Sequence, residues 1–197
     1  EEGATLPFHV YCDMDGVLVD LPAGIADQAR LDLKKKPRLR DDIMTILGQK
    51  KEWKKFVQER PEFRKGFVMI DDIISNREDF WADLPPMEGA DELWSYISQF
   101  NPSILSSPWD QASAAGKEIW VANNLGFSAE EIATKVNLTD SKHVFAVQDD
   151  GEPNVLIDDM NKYIEPWEEA GGIAIKHTSA GSTIAQLESL IDSYKET

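Results

Sequence analysis

Residues 8–20 read FHVYCDMDGVLVD. A short apolar, β-prone run ends at Asp13 and Asp15, with Gly16 directly behind. Carboxylates this close repel, and each raises the pKa of its neighbour. Such a pair needs a cation, a shared proton or a catalytic use. The pattern recurs twice: PSILSS (102–107) ends at Ser106 and Ser107, and VLIDD (155–159) ends at Asp158 and Asp159. Lys142 lies between those two runs, in LTDSKHVF. In a parallel sheet the carboxyl ends of the strands converge on one crevice. The expected pocket is acidic, with one hydroxyl and one ammonium. Three or four carboxylates there do not all stay ionised without a cation. An all-oxygen donor set suits a hard ion, and Mg2+ is the usual one beside phosphate.

The elements that must position these residues follow from the pattern of apolar positions. PFHVYC, PSILSS and VLIDD read as buried strands, with KVNLT (135–139) and GIAIKH (172–177) as further candidates. Helical patterns lie between them, in GADELWSYISQF (89–100), AAGKEIWVANNLG (114–126) and TIAQLESLIDSYK (183–195). Strand and helix alternating at this spacing imply an α/β fold, a parallel sheet with helices on both faces. Residues 21–81 break the rhythm. They read as helix, with Ile43, Ile46, Leu47, Trp53, Phe56 and Val57 on a stripe and Pro61 as an interruption. The expectation is a helical cap at 21–81, inserted after the first strand and set over the strand ends, on a core of 1–20 and 82–197.

Composition narrows the classes further. Apolar residues make up 42% of the 197, which supports a packed core rather than disorder. No apolar run approaches the roughly 20 residues of a bilayer span, and the start shows no charged–apolar–small leader pattern. The single Cys12 excludes an internal disulfide and fits a reducing, cytoplasmic setting. The formal net charge is −16. Residues 30–65 nevertheless hold 13 of the 20 Lys and Arg and 6 of the 36 Asp and Glu, a net +7 against −23 elsewhere. The acidic body disfavours general nucleic-acid or anionic-membrane binding. The basic segment is either a solvated helical face or a surface for an anionic substrate.

DMDGV, then ILSSP, then a lysine, then VLIDD resembles the four-motif set of the haloacid dehalogenase (HAD) superfamily. Within it, DMDGVL, DLPPMEGADEL, ILSSP, KEIWVANNLG, NLTDSKHV and VLIDD are similar to the 5'(3')-deoxyribonucleotidase family. The resemblance covers residues 8–20 and about 79–160 and leaves out the middle of the helical segment. It implies a Rossmannoid core and a Mg2+-dependent phosphomonoesterase acting on nucleoside 5'-monophosphates, deoxyribonucleotides in particular. Asp13 then attacks phosphorus to form an aspartyl-phosphate, and Asp15 protonates the leaving oxygen and later activates water. Asp13, Asp15 through its backbone carbonyl, and Asp158 hold the ion, with Asp159 in support. Ser106, Ser107 and Lys142 contact phosphate, and Gly16 turns the chain so that backbone amides face it. Ser106 stands where threonine is common in these nucleotidases. VQDDGEP separates Lys142 from the last acidic pair, which leaves Lys135 as the other candidate.

Each residue also has a structural reading. Asp-x-Asp-Gly could be a calcium loop, but an EF-hand needs glycine at the sixth position and Gly16 is at the fourth. A strand cysteine such as Cys12 is usually a small buried group. Phe80 and Trp81 serve either as a platform for a substrate base or as core. Trp53, Phe56, Phe63, Phe67 and Trp120 read as packing, His143 and His177 have no vacant role, and Asp20 and Asp110 lie where they could tune the pocket. Two competing functions stay open. One is a phosphatase of nucleic-acid ends or of another metabolite, reached through the basic segment. The other is a non-catalytic binding module on the same scaffold. The expected partner is a small phosphorylated substrate, with no membrane; nucleic acid through the basic segment and a homodimer are also left open.

Overall fold

The computed structural model describes residues 6–32, 34–35, 38–49 and 52–195. Residues 1–5, 196 and 197 of the expected core, and 33, 36, 37, 50 and 51 of the basic segment, lie outside the described residues. Five strands form one parallel sheet: β1 (Val10–Cys12), β2 (Ser103–Ser106), β3 (Val136–Leu138), β4 (Val155–Asp158) and β5 (Ile173–Lys176). Their order is β3-β2-β1-β4-β5. The chain leaves the central β1 to one side, then returns to the other, so the order reverses beside β1. Open α/β sheets bind ligands at the strand carboxyl ends at such a switch point.

Apolar strands of this kind need cover on both faces. Cys12 pairs with Ile104 and Ile157, and Ile157 with Ile175, all buried. The alternate positions Tyr11, Leu105, Leu156 and Ala174 pack against Ala146, Phe145 and Trp167. The Trp167 indole N–H donates to the carbonyls of Asn154 (3.3 Å) and Ile173 (3.1 Å), so its polar atom is satisfied inside the core.

Five helices separate β1 from β2: α1 (Leu21–Gln28), α2 (Arg38–Gly48), α3 (Trp53–Glu59), α4 (Arg64–Ile74) and α5 (Glu78–Ala82). This is the helical insertion expected after the first strand. Then come α6 (Ala90–Ile97), α7 (Gln111–Leu125), α8 (Ala129–Lys135), α9 (Asn161–Glu169) and α10 (Ala180–Lys195). No helix among the described residues is long and apolar enough to cross a membrane.

The chain divides into two units. The first comprises the described residues of Glu1–Val19, Pro86–Ser107 and Ala122–Thr197, and it contains the sheet. The second comprises those of Asp20–Pro85 and Pro108–Val121. Inside the second, α4 buries Phe67, Ile70 and Ile74 on one stripe, and α1, α2 and α4 touch one another. Trp53 stacks on Phe67 at 4.3 Å, and Arg60 lies over Phe56 and Phe63, so these aromatics are packing residues. Trp120 is buried and donates to the Leu84 carbonyl at 2.8 Å.

Candidate active site

The first unit brings the strand-end residues together. After β1 the chain makes a tight loop in which the amides of Val17, Leu18 and Val19 all point at the Met14 carbonyl. Gly16 sits at φ +82°, a conformation that strains any residue with a Cβ. A Cβ there would also lie 2.3 Å from Asp159 Oδ2. Glycine at 16 therefore lets the loop close onto the Asp159 carboxylate.

Lys142 lies in a 3₁₀ turn (Lys142–Phe145) and is 1% exposed. Its ammonium stands 3.0 Å from Asp13 Oδ1 and donates to Asp158 Oδ2 at 2.6 Å. The Asp13 contact is an ion pair without hydrogen-bond alignment, since Oδ1 has no hydrogen-bond donor. Asp158 Oδ1 accepts from the Met160 amide at 2.9 Å. Burial lowers the Lys142 pKa, but Asp13 and Asp158 outweigh it and hold the ammonium charged. Burial and the charge of Asp13 push Asp158 up, and Lys142 pulls it back. Lys135, the other candidate lysine, instead ion-pairs with Glu131 at 3.0 Å.

Asp159 has a buried oxygen, Oδ1, with no hydrogen-bond partner among the described residues. Burial, Asp13, Asp158 and Asp15 push its pKa up to about 8. Asp13, Asp158 and Asp159 each offer a carboxylate oxygen, all within 4.8 Å of one another. Lys142 offsets only part of the charge of these three carboxylates, and an all-oxygen donor set of this kind fits a hard divalent cation. Asp15 is half-buried beside it, and Ser106 is fully buried at the end of β2.

Several expected residues have other uses. The Ser107 hydroxyl donates to the Asp140 carboxylate, and the Tyr163 hydroxyl bonds to Ser107. The Ser107 proton is thus committed within this chain of side chains. Phe80 and Trp81 belong to the second unit, where they are 5% and 2% exposed. The Trp81 indole N–H donates to the Ile74 carbonyl at 2.9 Å, and the Lys117 ammonium lies 5.2 Å over its ring. Both are packed side chains in this structure; Phe80 also borders a cavity of about 470 Å³ with Ala23, Gly24, Asp27 and Arg77. Asp20 caps α1 by accepting from Ala23 N and pairs with Arg40. Asp110 accepts from the amides of Ser113 and Asn76. Cys12 is fully buried, its thiol pKa raised by burial and by Asp13. His143 is exposed, and His177 is buried against Thr183.

Three residues beside Lys142 escaped the sequence analysis: Asp140, Lys162 and Tyr163. The Lys142 ammonium lies 4.2 Å from the centre of the Tyr163 ring, and that of Lys162 lies 4.8 Å from it. The only sequence signal was their nearness to LTDSK and VLIDD.

No protein-family model and no curated protein matches the chain. Among solved structures it is similar to a hydrolase from Streptococcus pneumoniae TIGR4, with a TM-score of 0.50 at 16% identity, over 94% of this chain and 98% of that one. A looser likeness, with a TM-score of 0.42 at 15% identity, is to a HAD family enzyme from Bacteroides thetaiotaomicron, over 87% of this chain and 94% of that one. At these identities the first likeness establishes a shared fold: a parallel α/β sheet whose strand ends, in this chain, carry a buried lysine between acidic groups.

Proposed function

We propose that the chain is a Mg2+-dependent phosphomonoesterase of the HAD type, acting on nucleoside 5'-monophosphates. The observation that carries this reading is the Lys142 ammonium, buried 3.0 Å from Asp13 and 2.6 Å from Asp158, beside an Asp159 carboxylate with an unpartnered oxygen. Asp13 Oδ attacks phosphorus and the ester P–O bond breaks. Asp15 gives its proton to the departing alkoxide oxygen. Water then attacks the aspartyl-phosphate, Asp15 takes the water's proton, and the P–O bond to Asp13 breaks to release phosphate. Lys142 holds Asp13 and Asp158 in place and offsets their repulsion. Asp13, Asp158 and Asp159 would hold the ion, which supplies positive charge against the phosphate oxygens. The nucleotide assignment rests on the motif resemblance over 8–20 and about 79–160.

The test is phosphate release from 5'- and 3'-mononucleotides, sugar phosphates and phosphorylated oligonucleotides, with Mg2+, with chelator, and with Asp13→Asn. Mg2+-dependent turnover of 5'-mononucleotides that vanishes in Asp13→Asn supports the reading. Turnover that survives the substitution refutes the mechanism.

A second reading, a phosphatase of nucleic-acid ends, is favoured by the exposed cations Lys34, Lys35, Arg38, Lys54, Lys55, Arg64 and Lys65. It requires oligonucleotide affinity that falls steeply between low and moderate salt.

A further inference from the structure

Lys142 carries its charge on a flexible four-carbon stem, so the place of the ammonium has to be fixed by what surrounds it. The carboxylates do part of this. Asp158 Oδ2 takes one N–H in an aligned hydrogen bond at 2.6 Å, and Asp13 Oδ1 lies 3.0 Å away without alignment. An ammonium has three donors, so these contacts leave donors for a phosphate oxygen. A further contact comes from Tyr163, whose ring centre lies 4.2 Å from Lys142 Nζ. The face of an aromatic ring attracts a cation through its quadrupole, most strongly where water is excluded. Lys142 is fully buried, so its contact is of that stronger kind. Unlike a third carboxylate, the ring adds no negative charge to a site that has to accept a dianion. The exposed Lys162 ammonium lies farther from the same ring, at 4.8 Å.

The ring is itself held in place. It packs against the core cluster of Leu105, Ala146, Leu156 and Trp167. Its hydroxyl bonds to Ser107, whose own proton goes to Asp140. Its backbone is set by the end of the sheet. Asp158 Oδ1 accepts from the Met160 amide at 2.9 Å, and the Met160 carbonyl accepts from the Tyr163 amide at 3.0 Å. The segments that follow β2 and β3 and the start of α9 thus converge on one side chain, and that side chain faces the ammonium.

We infer that Tyr163 is a positioning residue for the reaction: its ring face holds the Lys142 ammonium beside Asp13 and Asp158 and leaves its other donors to the phosphate. This rests on the phosphomonoesterase reading above.

The test compares wild type, Tyr163→Phe, Tyr163→Phe carrying a pentafluorinated ring, and Tyr163→Leu, in the full chain with Mg2+ and a mononucleotide that the wild type hydrolyses. Fluorination keeps the ring but reverses the charge on its face. Tyr163→Phe keeps kcat/KM within about threefold of wild type, because the cation still meets an electron-rich face. The fluorinated ring and Tyr163→Leu each lower it by about ten- to a hundredfold, because the ammonium loses its seat and shifts. A fluorinated ring as active as the plain one means that residue 163 only fills space, and it overturns the inference. The contact is also read without turnover, from the lysine ammonium signals in proton–nitrogen NMR, with that of Lys142 assigned by its absence from Lys142→Arg. Buried and hydrogen-bonded, these protons exchange slowly with water. The ring current displaces them upfield in wild type and Tyr163→Phe and not in Tyr163→Leu. A Lys142 signal at the ordinary lysine position in wild type overturns the inference whatever the activity. A displaced signal in a wild type that turns over no phosphomonoester upholds the contact and overturns the reading beneath it.

Discussion

Replacing Asp159 by Asn removes from the acidic cluster a carboxyl that burial and its neighbours keep protonated. Burial, Asp13, Asp158 and Asp15 push this carboxyl from 3.8 to about 8 in the folded, metal-free protein. Between those values the folded chain keeps a proton that the unfolded chain has lost. The contribution to stability is complete below the lower value and is lost as pH rises through the upper one. At about 1.4 kcal/mol per pH unit, the interval from about pH 5 to about pH 8 corresponds to roughly 4 kcal/mol. Asp159 is half-buried, so solvent screens part of the repulsion, and about 2 kcal/mol is the expected effect. The assay is urea unfolding in chelator, followed by tryptophan fluorescence, for wild type and Asp159→Asn at several pH values. The wild type should lose about 2 kcal/mol more than the variant across that interval. Saturating Mg2+ should flatten the wild-type profile, because the cation binds the ionised cluster and displaces the proton. Parallel pH profiles for the two proteins in chelator would show that Asp159 is not held protonated by burial and its neighbours.

Three further outcomes follow from individual contacts. Gly16→Ala places a Cβ at φ +82° and 2.3 Å from Asp159 Oδ2, so it should cost about 1–2 kcal/mol in urea unfolding from backbone strain and weaken Mg2+ binding; an unchanged midpoint contradicts the loop geometry. His177 is buried against Thr183 with its pKa lowered below 6.5 by burial, so the unfolded chain takes up the proton first and stability is lost as pH falls below about 6.5. His177→Gln should lessen that acid-side loss in thermal melts, and an identical slope in both proteins rejects the assignment. Leu105→Ala opens a cavity in the cluster with Leu156 and Trp167 and should cost about 2–5 kcal/mol in the same unfolding assay.

The central strands β1, β2 and β4 were legible because they are parallel and mostly buried. Such strands are short apolar runs, and their ends stand out where the chemistry changes, as at Asp13, Ser106 and Asp158. The helix α7 announced its end through Gly126, which adopts φ +74° just after Leu125. Helix α8 was missed although Ser128 and Glu131 form a capping box, a signal present in the sequence. Helix α9 was obscured by the internal Pro166. Strand order was beyond reach, since it depends on which way each crossover runs.

Within the site, the residues at strand ends could be named because alternation and order locate them. The partners that decide their use could not. Ser107 is tied to Asp140, 33 residues away, only because β2 and β3 are neighbours. Tyr163 faces Lys142 only because α9 starts where β4 ends. For Trp81, the resemblance offered a substrate platform and the residue type a core side chain, equally open in the sequence; in this structure the ring is 2% exposed.

The central claim is that Asp13 carries the phosphoryl group. The most direct measurement is an acid quench of the working protein with Mg2+ and a 5'-mononucleotide, followed by proteolysis and mass spectrometry of the peptide containing residues 8–20. The account predicts a peptide heavier by one phosphoryl group on Asp13, labile to hydroxylamine and absent from Asp13→Asn. Steady turnover with no such adduct, or with the phosphoryl group on another residue, would contradict it.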